Sequence, residues 1–452
     1  MTEPVTIASA AELGALMGWD FAPSPEQWEA IRAPLEPAVA IAGAGSGKTT
    51  LMAARVVYLV ATGQVRPDQV LGLTFTTKAA SQLRGKVREA LVAAGLLPEP
   101  SADTDDTLEP TVATYNAYAA GLLTDHGLRI GHEPDSRVLS DASRYQLGAR
   151  VVERHTAEVR FLTDHPPTAI QNLLALDSAM SEHLVSPEQV LEVDAEAERG
   201  FLREDEAERA GKARKTYLDA TAKAINAIER RRELMELVLG YRRIKQDLGL
   251  MDFSDQIELG ARLAVEQPDV GALERERFRV VLLDEYQDTS VAQATMLSRL
   301  FSGGHPVMAV GDPNQAIYGW RGASVSNILH FADTFPAAAT SVAYPLTVSR
   351  RSDRRILDVA NRLAQPLYDA YAGQVVRLAA ADDADQGRVS TRVLPTQADE
   401  LAWLAGEVES ATRAAPRGPT SACSRATTPT PPTCSTPSPR ATSRSRSSAC
   451  RV

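Results

Sequence analysis

The stretch from Ala38 to Gly63 constrains the fold more than any other part of the chain. An apolar run, AVAIAG (38–43), enters the small-residue loop AGAGSGKTT (42–50), and KTTLMAARVVYLVATG then runs with helical spacing to Gly63. A buried strand, a glycine loop and a helix in that order call for a parallel sheet covered by helices. The loop is small for a chemical reason. Ala42, Gly43, Ala44, Gly45, Ser46 and Gly47 let the backbone curl until its N–H groups converge on an anion, and the helix start adds its dipole. Lys48 then reaches phosphate, Thr49 offers a hydroxyl to Mg2+, and Thr50 completes the set. The usual pattern opens with Gly where this chain has Ala42. The competing reading is a plain glycine turn; the GKT triplet between a strand and a helix favours phosphate.

The same alternation continues. LGLTFT (71–76) reads as a second strand, followed by a helix through Leu91. A polar, proline-bearing linker covers 97–110. From 115 to 265 strand signals vanish and helical periodicity takes over, and strands return at FRVVLLD (278–284) and PVMAVGD (306–312). The expected fold is therefore α/β: a P-loop parallel sheet built from 1–114 and 266–344, split by a helical insertion at 115–265. The start of a second unit follows at 345–412, then a Ser/Thr/Pro/Arg tail at 413–452.

Composition narrows the chemistry. No apolar run approaches the ~18 residues of a membrane span, and the N-terminus has no basic, apolar leader, so a cytoplasmic protein is expected. The three cysteines, Cys423, Cys434 and Cys450, all lie in the tail. That excludes a disulfide framework or a cysteine-held metal in the body. The net charge is −10, and the tail from Arg413 contributes Arg with no Asp, Glu or Lys. An acidic body argues against a general nucleic-acid coat; contact with DNA would need a local basic groove and aromatic stacking.

Two further motifs carry chemistry. In LLDEYQDTS (282–290), Asp284 ends an apolar strand, where ligands of open α/β sheets bind. It can hold Mg2+, and Glu285 beside it can orient or deprotonate an attacking water. Alone, such a pair is often a solvated turn; with the loop at 42–50 it reads as the second half of a nucleotide site. In VGDPNQAIYGWRGAS (310–324), Gln315 can sense a terminal phosphate, Tyr318 and Trp320 can stack on bases, and Arg321 can grip a backbone phosphate. The aromatics could equally be core residues; that reading suits Tyr318 in isolation, and Trp320 less.

Taken in order, Gln27 in SPEQ, AGAGSGKT, LTFTTKAA, DEYQDT, GDPNQAIYGWRGAS and SRRSDRRILDVAN resemble the motifs of superfamily 1A DNA helicases of the UvrD/Rep/PcrA type. The resemblance spans about 25–361 and implies a RecA-like sheet, ATP and Mg2+ as ligands, and 3′–5′ movement on single-stranded DNA or at junctions with duplex, in repair or recombination. SAAELGALMGWDF, RVVYLVATG and HGLRIGHEPDSRVLS look most like AdnA/AdnB-type helicase–nuclease subunits, which implies a partner subunit of that kind. By the same resemblance Gln27 would read adenine, Phe75 would stack a DNA base unless it is a core strand aromatic, and Thr76 and Lys78 would touch the DNA backbone. Arg351 would reach the γ-phosphate. The chain also departs from the family. Asn116-Ala117-Tyr118 stands where His-Ser-Phe is usual, leaving Asn116 as the DNA contact. Ser349-Arg350-Arg351 replaces Asn-Tyr-Arg, so the Arg350 plane would cover the adenine. Asp252 and Asp255 in MDFSDQI read as helix-capping residues.

The last two motifs of such helicases are missing. The tail reads as the product of a shifted reading frame; the alternative is a basic disordered arm. The expectation is a truncated second unit and a chain that hydrolyses ATP poorly and does not unwind DNA. Two other readings stand beside the helicase: a non-motor remnant that binds ATP and DNA, and a P-loop ATPase unrelated to DNA.

Overall fold

The computed structural model describes residues 5–99, 108–337 and 342–414. The tail expected at 413–452 lies almost wholly outside them. Met1–Arg388 form one compact unit and Val389–Val452 a second, in which the described secondary structure is the helix Gln397–Ala414.

In chain order the strands are β1 (Ala38–Ala42), β2 (Val70–Thr74), β3 (Thr111–Thr114), β4 (Arg137–Val138), β5 (Leu250–Met251), β6 (Val280–Leu283), β7 (Val307–Gly311), β8 (Val342–Leu346), β9 (Val348–Ser349) and β10 (Ala379–Ala380). Six of them form one sheet in the order β3-β2-β6-β7-β1-β8, with every pairing parallel. The expected α/β class is what the structure has.

Side-chain alternation explains why β1, β6 and β7 carry unbroken apolar runs. Ala38, Ala40 and Ala42 of β1, with Val280 and Leu282 of β6 and Met308 and Val310 of β7, face a core shared with the helices Lys48–Ala61 and Thr77–Ala93. The intervening Val39, Ile41, Val281, Leu283, Val307 and Ala309 face the opposite core, made with the helices Tyr115–His126, Phe253–Glu266 and Val291–Leu300. A strand buried on both faces has no polar side to show, so it reads as continuous hydrophobe.

The second core takes in residues from both ends of the expected insertion. Tyr115, Tyr118, Ala119 and Leu122, and at the far end Ile257, Ala261, Leu263 and Ala264, pack under the sheet. A separate helical core runs from Leu139 to Tyr241, with Leu250 against it. Helical periodicity marks the helices but not which core they join. The expected boundary at 344/345 likewise falls inside β8, which completes the sheet beside β1.

A buried ionic knot ties the insertion to the sheet-bound helix. Lys245 Nζ lies 2.9 Å from Asp177, 3.4 Å from Asp252 and 2.7 Å from Asp255. The ammonium thus lies among Asp177, Asp252 and Asp255, the one group of three carboxylates among the described residues close enough to share a metal ion. Asp252 also caps the helix Phe253–Glu266, accepting from the N–H groups of Ser254 and Asp255, and Asp255 accepts from the N–H of Asp252. No helix of the described residues is long and apolar enough to cross a membrane.

Candidate active site

The parallel sheet brings the C-terminal ends of β1, β2, β6 and β7 to one edge, where ligands of such sheets bind. The loop after β1 turns through Gly45 (φ 79°) and Gly47 (φ 88°), both in the left-handed region, and the helix starts at Lys48. Gly45 has a second reason to lack a side chain: an added Cβ would lie 2.6 Å from Arg351 Cβ and 2.7 Å from Ser349 Oγ. Ser46 is buried and its hydroxyl donates to Gly43 O at 2.8 Å, closing the loop on itself.

A cleft of about 320 Å³ opens over this loop, lined by Ala44, Gly45, Gly47, Lys48, Thr49, Thr50, Glu285, Gln315, Arg350 and Arg351, and also by Lys86. Sequence reasoning passed over Lys86; its only signal is its place on the helix that follows TTK. Ala42, Gly43 and Ser46 stand behind the cleft wall. Gln27 is also set back. It is 5% exposed, and its Nε2 donates to Ser46 O at 2.9 Å while its Oε1 accepts from the N–H of Ser24 at 3.0 Å. Its amide is committed to the loop backbone and to its own helix cap.

Lys48 Nζ pairs with Glu285 Oε2 at 2.8 Å. Glu285, the second residue after β6, sits at φ 49°, a strained setting for a residue with a Cβ. Asp284 is held by Thr74 Oγ1, which donates to its Oδ2 at 3.2 Å, while its buried Oδ1 has no partner among the described residues. Burial, and then the charge of Glu285, push the Asp284 carboxyl up to about 6. Burial does the same to Asp288, again to about 6. Gln315 donates to Asp312 Oδ2 at 2.6 Å. The unpartnered, desolvated Oδ1 of Asp284 and the hydroxyl of Thr49, which lines the cleft, are hard oxygen donors of the kind that Mg2+ takes.

The aromatic loop begins one turn further on. Phe75 and Tyr318 pack at 4.6 Å between ring centres, and Tyr318 lies 6.3 Å from Trp320. Trp320 is 74% exposed, and the Arg321 guanidinium lies 4.5 Å from its ring centre. Tyr318 and Phe75 are half-buried against each other; Trp320 is presented to solvent. Thr76 and Lys78 are exposed, and the Thr76 hydroxyl caps the helix Thr77–Ala93 through the N–H of Ala79. Asn116 donates to Phe253 O at 2.8 Å, so its amide anchors the re-entry from the insertion.

Comparison with known proteins agrees with this arrangement. The UvrD/REP helicase N-terminal domain model matches residues 23–336. The chain is 31% identical to the ATP-dependent DNA helicase PcrA of Leuconostoc citreum over 74% of its length and 38% of the relative's. It is 26% identical to DNA helicase II of Escherichia coli over 85% of its length and 45% of the relative's. It is 27% identical to the PcrA of Bacillus subtilis over 75% and 39%. The chain thus spans less than half the length of these relatives. The match takes in five of the six strands of the sheet and the cleft residues from Ala44 to Gln315, and the chain belongs to the UvrD/REP helicase N-terminal domain family.

Proposed function

We propose that the chain carries the nucleotide-binding and DNA-contacting half of an ATP-dependent DNA helicase that moves 3′–5′ on single-stranded DNA, in the cytoplasm, in repair or recombination. One observation carries this reading. A single short segment leaves β7, puts Gln315 in the nucleotide cleft and then presents Trp320 and Arg321 to solvent beside Phe75 and Tyr318. A change at the phosphate therefore has a short covalent path to a base-stacking surface.

In this reading the loop N–H groups and Lys48 grip the phosphates, Thr49 and Asp284 hold Mg2+, and Glu285 takes the proton of the attacking water. When bound, Mg2+ supplies charge neutralisation at the phosphate oxygens. Arg351, already seated on Gly45, faces the same cleft as a γ-phosphate contact. Arg350 lines the rim where it can cover a base, and Gln27 reaches adenine only by releasing the Ser46 carbonyl. Thr76, Lys78 and Asn116 are DNA-backbone contacts in the same scheme. A helicase–nuclease partner of the AdnA/AdnB kind belongs to this proposal and rests on the N-terminal segments alone.

The test is ATP hydrolysis by the purified chain with and without single-stranded DNA. Stimulation by DNA supports the reading. ATP turnover indifferent to DNA, with no DNA binding, leaves a P-loop ATPase of another kind; binding of both ligands without turnover leaves the non-motor alternative.

A further inference from the structure

Gln287 lies in the single turn Tyr286–Asp288 after β6 and is 1% exposed. Its amide is used at both ends. Nε2 donates to Glu285 Oε2 at 2.9 Å, the same oxygen that accepts from Lys48 Nζ at 2.8 Å. Oε1 accepts from the N–H of Asp312 at 3.0 Å, just past β7. The Asp312 carboxylate in turn holds Gln315 Nε2 at 2.6 Å and the N–H of Asn314 at 3.0 Å. Gly311 makes room for this bridge, since an added Cβ there would lie 2.3 Å from Gln287 Oε1. One buried side chain thus ties together the two groups, Glu285 and Gln315, that face the phosphate end of the cleft from adjacent strands.

We propose that Gln287 is a positioning residue for hydrolysis: it holds the Glu285 carboxylate in register with Gln315 once Lys48 has moved from Glu285 to phosphate. This rests on the nucleotide-site reading above. In the structure Glu285 Oε2 has two donors, and an incoming phosphate removes one of them. Gln287 is the donor that remains. Glutamine suits the place because a neutral amide offers a donor to Glu285 and an acceptor to the Asp312 N–H at once. A carboxylate at 287 would repel Glu285, and an ammonium would compete for the phosphate and leave the Asp312 N–H buried without an acceptor.

The experiment uses the full chain and the variants Gln287→Glu, Glu285→Gln and their double. Gln287→Glu keeps the length and the acceptor for Asp312 and loses the donor to Glu285. Binding of MgADP is measured alone and with aluminium fluoride, which mimics the transferring phosphoryl group, together with ATP hydrolysis. In Gln287→Glu, MgADP affinity should stay within about threefold of wild type, while the affinity gained on adding aluminium fluoride falls roughly 10–100-fold, the worth of a hydrogen bond to a charged group. Hydrolysis should fall in parallel. In the Glu285→Gln background the same change should add less than about threefold, because Gln287 acts through Glu285. An unchanged fluoride gain, or a full additional loss in that background, overturns the proposal. Should Gln287→Glu fail to fold, Gly311→Ala displaces the amide from the other side and should give the same pattern. A wild-type chain that binds no MgADP sinks the nucleotide-site reading and this proposal with it; the variant outcomes sink the Gln287 linkage alone.

Discussion

Lys48 and Glu285 are each other's partner in the cleft, Nζ to Oε2 at 2.8 Å, with the two side chains 13% and 33% exposed. The cation that phosphate needs is therefore already engaged, and nucleotide binding has to exchange one anion for another. Glu285→Gln removes the competitor. It should tighten MgATP binding by about 2–10-fold, the range of a part-exposed ion pair, and stop hydrolysis. Equilibrium binding and turnover on the same preparation check both halves; weaker binding would mean that Glu285 does not compete for Lys48.

Lys48→Ala should cost at least ~10-fold in MgATP affinity and abolish turnover, since the loop retains only N–H groups for the phosphates. Normal affinity and turnover in this variant would remove the phosphate assignment of the loop.

Trp320→Ala should weaken single-stranded DNA binding by ~1–3 kcal/mol, similarly for every sequence, because every base offers a π-face. The ring is 74% exposed, so unfolding stability should move by less than ~0.5 kcal/mol. Fluorescence titration with homopolymers and a urea melt separate the two; a destabilised variant with undiminished DNA affinity would make Trp320 a packing residue.

Arg55 is fully buried, and its guanidinium donates to Ala30 O at 3.1 Å, Ile31 O at 3.0 Å, Ala33 O at 3.0 Å and Pro34 O at 3.2 Å. It comes from the helix behind the phosphate loop and finishes the helix Pro25–Ile31, which carries Gln27. Arg55→Met would leave those carbonyls buried without donors and should cost ~3–5 kcal/mol in a denaturant melt. A loss below ~1 kcal/mol would show that water replaces the guanidinium.

His305 stacks on Phe301 at 5.4 Å, and burial brings its imidazole down to about 4, with Arg275 and Arg279 adding to the effect and the Phe278 backbone opposing it. Its ordinary value is near 6.5. The unfolded chain thus binds the proton first, and stability should fall as pH drops from about 6.5 towards 4. Allowing for the part of the ring that solvent reaches, the loss is roughly 1–2 kcal/mol. His305→Phe keeps the stacking and should flatten the curve across that window by this amount. Parallel urea melts of both proteins at pH 4.5 and 7 read the difference; identical slopes would exclude His305.

The sequence disclosed those features that depend on residue type at fixed spacing. The strand–loop–helix at 38–63 and the acidic pair ending β6 were legible because both-face burial forces apolar runs and phosphate forces small residues. Features that depend on distant partners were not legible. Nothing near Lys245 in the chain announces Asp177, and nothing in DEYQDT distinguishes the buried bridge made by Gln287 from the solvated glutamine of an ordinary turn. Asn116 and Gln27 stand at motif positions, yet their amides are taken by Phe253 O and Ser46 O, which only the folded chain could disclose. The helices at 115–126 and 253–266 have the same periodicity as the insertion between them, so the sequence could not assign them to the sheet.

The parallel pairing of β2 with β6, Leu73 opposite Leu283, has a consequence for which changes of length the gene can accept. Successive side chains of a strand point to opposite faces, so deleting one residue from Val280–Leu283 would exchange the orientations of Asp284 and Glu285 as well as turning its apolar side chains to the wrong core. Between Leu139 and Tyr241 the chain packs on itself, and adding residues to a surface loop there costs only the slow growth of loop-closure entropy. Insertions in the surface loops between Leu139 and Tyr241 should therefore be tolerated, whereas single deletions within Val280–Leu283 should abolish nucleotide binding. A library of single-codon deletions scored for nucleotide binding would trace that boundary directly.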